Sequence, residues 1–327
     1  MSKNGFVDLQ INGYKGINFV SANLSVDDIH NATRALMNAG TIAYCPTICT
    51  DNIKVYERSL KLFAKALQDR ELSGHIPGLH LEGPFISAME GARGAHPLKY
   101  IRRPDIELLK RFQDWAQGHI VLLTLAPETE NAAALIKYAV RNGIRVSMGH
   151  HFAEDEVMEN AVKAGVKACT HLGNGMPNMI NRHNNPIWWQ LACDDVFGMF
   201  ITDGHHLPAD LIKTALRAKT LEKFIVVSDS VYLAGLPPGT YKFLGRKVVL
   251  APSGRTSFAD TPYLAGSSAN MMQCMNHLAS LKLLTEKELW QVGRDNPLKF
   301  LGKNQAFLNK VPGPKVEFKD NKFNIKR

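Results

Sequence analysis

The sequence predicts an α/β fold in which a (β/α)8 barrel is followed by a small, reduced β-strand appendage. Eight short apolar or β-branched runs recur along the chain, and segments with helical periodicity separate most of them. Eight alternations of strand and helix are what a closed parallel barrel requires. An open doubly wound sheet is disfavoured, because residues 12–16 read Asn-Gly-Tyr-Lys-Gly where a Gly-x-Gly-x-x-Gly phosphate turn would follow the first strand.

The apolar runs fix the expected strands and helices. The strands are expected at Phe6–Ile11, Thr41–Ile48, Ile76–Leu81, Ile120–Leu125, Ile144–Met148, Val166–Thr170, Phe197–Ile201 and Phe224–Val227. Helices are expected at Ile53–Leu67, Ile106–Trp115, Ala132–Val140, Glu154–Ala164 and Ala209–Ala218. Two residues are predicted helix N-caps, Ser25 and Asp51. Three glycines stand where helix C-termini belong, Gly40, Gly143 and Gly165.

After the eighth strand the pattern changes. It predicts a Gly- and Pro-rich loop at Val231–Thr240 and a short hairpin at Tyr241–Leu250 with Arg255–Phe258. It also predicts helical stretches at Ser268–Leu278 and Thr285–Leu301, and a strand pair at Lys315–Ile325. Asp320-Asn321 is the turn signal of the last pair. We therefore expect a barrel domain over residues 1–302, with a hairpin inserted near 241–258, and a C-terminal β appendage over 303–327.

The composition is that of an ordinary globular protein. Lys and Arg number 39 against 30 Asp and Glu, so the formal net charge is 39 − 30 = +9, and 45% of the residues are hydrophobic. These values exclude a disordered or fibrous chain. The basic residues form no long block, so no nucleic-acid partner is expected. No apolar stretch is long enough to cross a bilayer, so no membrane partner is expected either.

The chain start and the cysteines bear on the compartment. Met1–Gly5 leads straight into the first strand without the apolar core of a signal peptide. The five cysteines are Cys45, Cys49, Cys169, Cys193 and Cys274, and they lack the spacing of a disulfide scaffold. Cys45 and Cys49 would supply half a metal site, but no second thiol pair completes it. We expect reduced, buried thiols in a cytoplasmic protein.

Polar residues at the strand ends point to a site. Six of the eight predicted strands close on such residues, which are Gln10 and Asn12, Glu82, His150, His171, Asp203 and Asp229. In a (β/α)8 barrel the carboxyl ends of all strands meet at one rim, where the active site lies. Loops are polar in any case, so one such residue would mean little. Six of eight predict a shared pocket.

Glu82, His150 and His171 form a common ligand set for a catalytic zinc or similar divalent ion. Each histidine alone is more often a structural residue, and only the set at the strand ends favours a metal. Asp229 is the acid that closes the last strand, and a carboxylate there can take a proton from water and deliver it to a leaving amine. In isolation, Asp229 would be read as an N-cap or turn aspartate.

Two loop residues are further candidates. His96, in Gly94-Ala95-His96, stands on the loop after Glu82 and is placed to donate to a carbonyl oxygen and stabilise the developing oxyanion. Arg182, after the sixth strand, is a candidate clamp for phosphate or carboxylate, because a guanidinium binds such groups with two parallel hydrogen bonds. An exposed loop arginine is the alternative. Trp188-Trp189 either cover the pocket or pack in an interface, and the sequence favours neither.

A series of short motifs runs from Phe6 to about Gly302. They are Asp8-Leu9-Gln10-Ile11-Asn12-Gly13, His80-Leu81-Glu82-Gly83-Pro84-Phe85, Gly94-Ala95-His96, Gly149-His150, Thr170-His171-Leu172 with Asn174 and Met176-Pro177, Asp203-Gly204 with His206, Asp229 with Ala234-Gly235-Leu236-Pro237, Leu264-Ala265-Gly266-Ser267 and Asn296-Pro297. In this order they resemble the N-acetylglucosamine-6-phosphate deacetylases of the amidohydrolase superfamily. The resemblance implies that superfamily's TIM-type barrel.

The resemblance also implies roles for residues. It implies a metal held by Glu82, His150 and His171, with Asp229 as the catalytic acid/base and His96 polarising the acetyl carbonyl. It implies a phosphate held by Asn174, the Gly175 backbone and Arg182, in family dimers that often share this site. His206 would contact the sugar, and Leu264, Ala265 and Gly266 are the remaining implied substrate-binding residues.

Gln10 and Asn12 stand where two-metal relatives carry His-x-His. An amide oxygen binds a divalent cation more weakly than imidazole. We therefore expect one tightly bound divalent metal, zinc by preference, with iron and manganese as compatible alternatives. Relatives carry a β-sandwich portion before the first barrel strand, and here we expect it to be reduced to the late strands.

Several residues depart from the family pattern. His151 replaces a serine, Gly173 replaces an aromatic residue, and Ser228 and Ser230 flank Asp229 where Thr and Ala are typical. Arg182 lacks the usual Glu-Pro-Gly after it and is followed by His183-Asn184-Asn185-Pro186. These departures leave the metal ligands and the base untouched and fall on the substrate side.

We expect a cytoplasmic, homodimeric hydrolase that converts N-acetylglucosamine 6-phosphate into glucosamine 6-phosphate and acetate. One alternative is the same chemistry on a different N-acyl sugar or an N-acyl amino acid. A second alternative is a catalytically silent protein that binds a sugar phosphate.

Overall fold

The computed structural model describes residues 3–243, 245–260 and 263–326. The strands, numbered along the chain, are β1 Lys3–Asn4, β2 Phe6–Ile11, β3 Gly13–Tyr14, β4 Ile17–Asn18, β5 Thr41–Cys49, β6 Leu79–Glu82, β7 Ile120–Leu125, β8 Arg145–Met148, β9 Ala168–Cys169, β10 Phe197–Ile201, β11 Phe224–Val227, β12 Gly239–Phe243, β13 Arg246–Leu250, β14 Thr256–Phe258, β15 Lys315–Lys319 and β16 Lys322–Ile325.

The α-helices alternate with the central strands. They are α1 Val26–Asn38, α2 Ile53–Ala66, α3 Arg70–His75, α4 Ile106–Trp115, α5 Ala132–Arg141, α6 Asp155–Ala164, α7 Pro186–Ala192, α8 Ala209–Lys219, α9 Met271–Ser280, α10 Glu286–Trp290, α11 Asn296–Phe300 and α12 Gln305–Leu308. The five helices predicted between the strands are confirmed to within one or two residues at each end.

Eight parallel strands form the central sheet, in the order β2-β5-β6-β7-β8-β9-β10-β11. All eight predicted strands are present. Three strands begin later than predicted, β8 by one residue, β9 by two and β6 by three, because a short strand needs pairing on both sides and not only an apolar run. With helices outside and apolar strands inside, the chain has the predicted (β/α)8 architecture.

The first and last strands of this sheet close it into a barrel through side chains as well as backbone. The Asn12 amide donates to the Ser230 carbonyl at 2.8 Å. The Ser228 hydroxyl and amide both donate to the carboxylate of Asp8, at 2.5 and 3.2 Å. Burial raises the pKa of Asp8 to about 6, against the hydrogen bonds from Ser228. Asp8 therefore joins the two edges of the sheet directly below the rim.

Helix α1 begins at a capping box, as the Ser25 prediction required. Ser25 Oγ accepts from the Asp28 amide at 3.1 Å, and the Asp28 carboxylate accepts from the Ser25 amide at 2.9 Å. The Asp51 prediction is wrong by one residue. Asn52 is the N-cap of α2, since its side-chain oxygen accepts from the Lys54 amide at 3.0 Å, while Asp51 accepts only from Asn52 itself.

The predicted helix Thr285–Leu301 is divided in three. A π-helical turn, Gln291–Asp295, separates α10 from α11. Pro297 has no amide proton to give to Gly293, which removes one helical hydrogen bond. A widened turn accommodates that loss.

The late strands form two small antiparallel sheets. One has the order β12-β13-β14, so the predicted hairpin has a third strand. Leu244, which follows β12 in the sequence, lies outside the described residues. The other has the order β1-β15-β16, which means that Lys3–Asn4 also pairs with the predicted C-terminal strand pair. The division at residue 302 remains a prediction.

No helix within the described residues is both long and apolar enough to cross a membrane. All five cysteines are free thiols.

Candidate active site

A cavity of about 430 Å³ opens at the carboxyl ends of the barrel strands. It is lined by residues of most strand ends, so the shared pocket predicted from the polar strand ends is present. Predicted site residues that line it are Asn12, Glu82, His96, His150, His171, Asn174, Gly175, His206, Asp229, Leu264 and Gly266. Gln10 lies beneath these residues, completely buried.

Glu82, His150 and His171 meet at the floor of this cavity. His150 Nε2 lies 3.0 Å from His171 Nε2, and Glu82 Oε1 lies 3.3 Å from the first nitrogen and 3.1 Å from the second. All three side chains are buried. Both histidines have a positive φ, 51° and 31°, because each stands where a strand has ended and the backbone turns into the rim.

The donor arrangement fits a divalent cation. His150 Nδ1 donates its proton to the Ala92 carbonyl at 2.9 Å, so Nε2 of the neutral ring carries a lone pair and faces Glu82 and His171. Zinc ligands at 2.0–2.1 Å in a tetrahedron are about 3.3 Å apart, close to the spacing of these three atoms. Three donors thus converge where a cation would satisfy all of them.

Asp229 stands at the same rim, after β11, with a φ of 49°. Its Oδ1 accepts two amide hydrogen bonds, from Asn12 Nδ2 at 2.7 Å and Gln10 Nε2 at 3.0 Å. Gln10 Nε2 also donates to Glu82 Oε1 at 2.7 Å. Burial, and then the charge of Glu82, raises the pKa of Asp229 to about 8. The strand-one amides therefore hold one oxygen of Asp229 and leave the other available to the cavity.

His96 reaches the same point from the loop after β6. Its Nε2 lies 3.1 Å from His150 Nε2, and its ring is buried. Burial, followed by the proximity of His150, lowers the pKa of His96 to about 3. A neutral imidazole of this kind keeps one proton to donate and does not add charge beside the cation ligands.

The opposite wall carries the substrate-side candidates. Asp203 Oδ2 accepts from His206 Nδ1 at 2.8 Å and orients that ring toward the cavity. Asn174 Nδ2 donates to the His171 carbonyl at 3.2 Å. Gly175 has a φ of 64°, and a Cβ there would lie 3.0 Å from His150 Nδ1, so a side chain would displace a metal-ligand candidate. Leu264 and Gly266 line the cavity, whereas Ala265 between them packs in the apolar cluster under β12–β14.

Arg182 is not brought into this cavity. It lines a neighbouring apolar cavity with Trp188 and Leu211, and its carbonyl accepts from Trp188 Nε1 at 2.9 Å. Among the described residues that line the active-site cavity there is no arginine and no lysine. Trp188 is half-exposed beside this second cavity, while Trp189 packs against the core.

Two contributors were missed by the sequence argument. Cys49, at the end of β5, lines the cavity and pairs in register with Glu82 on β6. The sequence argument weighed Cys49 only as half of a thiol pair with Cys45, and its place directly after the predicted strand was the available signal. Asp8 was part of a quoted motif, but its partner Ser228 is 220 residues away and no local pattern links them.

Comparisons with known proteins agree with this site. The chain matches no protein-family model. It is 33% identical over 301 residues to the N-acetylglucosamine-6-phosphate deacetylase of Bacillus subtilis, which covers 91% of this chain and 74% of the relative. The chain belongs to the N-acetylglucosamine-6-phosphate deacetylase family.

Other members of the deacetylase family match at similar levels. The N-acetylgalactosamine-6-phosphate deacetylase of a Shewanella strain is 31% identical over 303 residues, which covers 92% of this chain and 74% of the relative. The crystal structure of the N-acetyl-D-glucosamine-6-phosphate deacetylase of Mycobacterium smegmatis superposes with a TM-score of 0.87 at 25% identity, covering 100% of this chain and 86% of that one. The family and the barrel fold predicted from the motifs are confirmed. The roles of individual residues stay predictions.

Proposed function

We propose that this protein hydrolyses the N-acetyl group of an amino sugar 6-phosphate, N-acetylglucosamine 6-phosphate by preference, to the free amine and acetate. The observation that carries the proposal is the convergence of Glu82, His150 and His171 with the carboxylate of Asp229 at one rim, in a chain of the deacetylase family. Amide hydrolysis needs a polarised carbonyl, an activated water and a protonated leaving nitrogen.

Glu82, His150 and His171 are the residues that would hold the cation, for which we propose zinc. A divalent ion bound there supplies Lewis-acid polarisation of the acetyl carbonyl and makes water more acidic. Neutral imidazole and carboxylate donors suit zinc, and they also accept iron or manganese.

Asp229 is the proposed proton carrier. Oδ1 is held by two amide donors, so Oδ2 is the oxygen left to take a proton from the attacking water. The same oxygen then returns the proton to the departing amine nitrogen, which leaves as a neutral amine rather than an anion.

His96 is the proposed donor to the acetyl oxygen. The ring is neutral because its pKa is low, and a neutral ring retains one N–H. A donor fixed beside the reacting carbonyl stabilises the oxygen as negative charge develops on it. Asp203 fixes His206 on the sugar side of the cavity by their 2.8 Å hydrogen bond.

The phosphate side needs a second subunit. Asn174, the Gly175 amide and His206 line the cavity, but Arg182 faces away from it in the same chain. We propose a homodimer in which Arg182 of one subunit serves the site of the other, as the family resemblance implies. The segment around it is suited to an interface, since Met179 is 90% exposed and Trp188 is 51% exposed. A cytoplasmic location is proposed with this function.

The test is acetate release from a panel of substrates. It comprises N-acetylglucosamine, its 6-phosphate, N-acetylgalactosamine 6-phosphate and N-acetylglutamate. We expect the 6-phosphates to be cleaved with a higher kcat/KM than the free sugar, and R182A to raise KM for the 6-phosphates alone. Preference for the free sugar or for the amino acid would replace the proposed substrate. No turnover of any of them by the zinc-loaded protein would contradict the proposal.

A further inference from the structure

Four polar side chains are joined by hydrogen bonds inside the barrel, and we call them the buried network. They are His80 on β6, Thr124 on β7, Ser147 on β8 and Thr170, which follows β9. All four residues are buried, and none of the four lines the active-site cavity. The proposed function gives no role to any of them.

The hydrogen bonds of the buried network are short and run without a break. Ser147 Oγ lies 2.6 Å from Thr170 Oγ1, which lies 2.7 Å from Thr124 Oγ1. Thr124 Oγ1 lies 2.7 Å from His80 Nε2, and His80 Nδ1 lies 3.1 Å from the Leu9 carbonyl oxygen on β2. The network therefore connects four strands and the end of a fifth.

The protons of the buried network can be placed in one direction only. Burial disfavours the charged imidazole, so the His80 ring is neutral, and its Nδ1 must donate because the Leu9 carbonyl only accepts. His80 Nε2 then accepts the single hydroxyl proton of Thr124. Thr170 must in turn donate to Thr124, and Ser147 to Thr170. Each of these bonds thus has one donor and one acceptor.

The buried network adjoins the residues proposed to hold the cation. Thr170 directly precedes His171 in the chain. Thr124 pairs in register with Glu82 across β6 and β7, and His80 stands two residues before Glu82 on the same face of β6. A shift of either threonine would therefore be transmitted to a ligand through the backbone that carries it.

The third ligand is connected to the buried network by a close backbone contact. Gly149 directly precedes His150, and a Cβ on Gly149 would lie 2.8 Å from both Thr124 Cγ2 and Thr170 Cβ. The backbone that leads into His150 therefore rests directly on these two threonines. All three proposed ligands are thus adjacent to the same set of hydrogen bonds.

Stability alone does not call for polar groups at these positions. The barrel strands already share an apolar cluster that includes Leu9, Leu122 and Met199. Replacing two hydrogen-bonded partners by apolar groups of the same shape is often nearly neutral for stability. A fully satisfied buried network instead rigidifies its surroundings and specifies one arrangement of them. The buried network is therefore suited to fixing the ends of the strands relative to one another.

We propose that the buried network is a positioning device that holds Glu82, His150 and His171 at the spacing that a divalent cation needs. Its members touch neither the cation nor the substrate and act only through the strand ends. The inference rests on the proposed function for the existence of the cation site, and on nothing else in the reaction.

Zinc affinity of the full-length protein tests the proposal, measured by competition with a chromophoric chelator. T124V and T170V each replace a hydroxyl of the buried network with a methyl group. We expect the zinc Kd to rise by about 10- to 100-fold in each, the usual cost of losing a group that orients cation ligands. T124S and T170S keep the hydroxyl and should bind zinc with a Kd close to that of the wild type.

T33V is the matched control for a loss of stability. Thr33 is also completely buried, and its hydroxyl donates to the Ile29 carbonyl at 2.7 Å, but it lies on α1 and does not line the cavity. T33V should lower the melting temperature of the cation-free protein and leave the zinc Kd unchanged. A general loss of stability therefore does not reproduce the expected result.

Folded T124V and T170V with the zinc Kd of the wild type would overturn the proposal and leave the buried network a part of the core. Equal weakening of zinc by T33V would also overturn it. S147A removes only the last donor, so it decides the question if the valine variants do not fold. S147A should weaken zinc by a smaller factor, and an unchanged Kd would then overturn the proposal.

The acetate assay separates this inference from the proposed function. A zinc Kd that depends on the buried network, in a protein that releases no acetate from any substrate, contradicts the proposed function alone. Acetate release by a protein whose zinc Kd is insensitive to these substitutions contradicts the positioning role alone. A wild-type protein that binds no zinc, iron or manganese contradicts both.

Discussion

Asn12 Nδ2 donates to Asp229 Oδ1 at 2.7 Å and ties the first barrel strand to the acid that follows the last one. Gln10, two residues earlier on the same face of β2, donates to the same oxygen. Both donors are amides and cannot take the proton themselves, so the carboxylate is fixed without being neutralised. We therefore expect Gln10 and Asn12 to act as positioning residues for the proposed base rather than as weak metal ligands.

Replacing Asn12 with Ala should lower kcat more than it changes KM. A hydrogen bond to a charged group is worth about 1.5–3 kcal/mol, so we expect a fall of about 10- to 100-fold in kcat. N142A, at an exposed asparagine whose side chain donates to the Tyr138 carbonyl far from the cavity lining, is the matched control and should leave kcat unchanged. Steady-state acetate release gives kcat and KM for both variants. An unchanged kcat in N12A would show that Asp229 does not need the hydrogen bond from Asn12.

Replacing Asp229 with Asn should abolish proton transfer while the fold and the cation remain. We expect kcat to fall by about 10²- to 10⁴-fold, the usual contribution of a general base. Elemental analysis should find the cation still bound in D229N, because Glu82, His150 and His171 are unchanged. Near-normal turnover in D229N would assign the base to another residue.

Removing the cation should inactivate the protein and lower its stability. The three converging donors repel one another or must share protons when no cation is bound, so binding stabilises the folded state. At a free zinc concentration of 100 Kd the gain is about 2.7 kcal/mol. Thermal melting with and without a chelator measures it, and zinc should restore both melting temperature and acetate release. A magnesium salt is the control, and recovery with magnesium alone would contradict the assigned donor set.

Asp8 should make the protein less stable as the pH rises. Its folded pKa is about 6, above the unfolded value of 3.8, because burial disfavours the charged form. The stability it confers is therefore complete below about pH 4 and is lost as the pH rises through about 6, by about 3 kcal/mol in all. Urea unfolding of the wild type and D8N from pH 4 to 7 measures this loss. The free energy of unfolding of the wild type should fall relative to that of D8N as the pH rises. A constant difference would mean that Asp8 stays ionised throughout.

The barrel was predictable because its strands are fully buried and therefore read as apolar runs. The sequence could not predict contacts between side chains that lie far apart along the chain. Ser228 is 220 residues from Asp8, and the contact that closes the barrel depends on strand order rather than on any local pattern. Asn52 displaced Asp51 as N-cap because both residue types cap well and backbone geometry decides between them.

The candidate site likewise contains some residues that the strand pattern predicted and others that it did not. Residues at strand ends, such as His150 and Asp229, were predictable because a barrel brings all strand ends to one rim. Arg182 was not, because it follows β9 by a long loop whose path the strand pattern does not determine. Cys49 was set aside because no second thiol pair completed a metal site and a free cysteine in an apolar strand is usually a core residue.

His150, His171 and Asp229 share a feature that bears on how this protein could be evolved or engineered. Each has a positive φ, where a residue with a Cβ costs roughly 1–3 kcal/mol and glycine costs far less. Selection for thermal stability of the cation-free protein would therefore tend to enrich glycine at these three positions, and the variants it recovered would melt later than the cation-free parent while turning nothing over. At each of these three positions, the side chain that the proposed reaction needs is attached to a backbone torsion that lowers the stability of the fold.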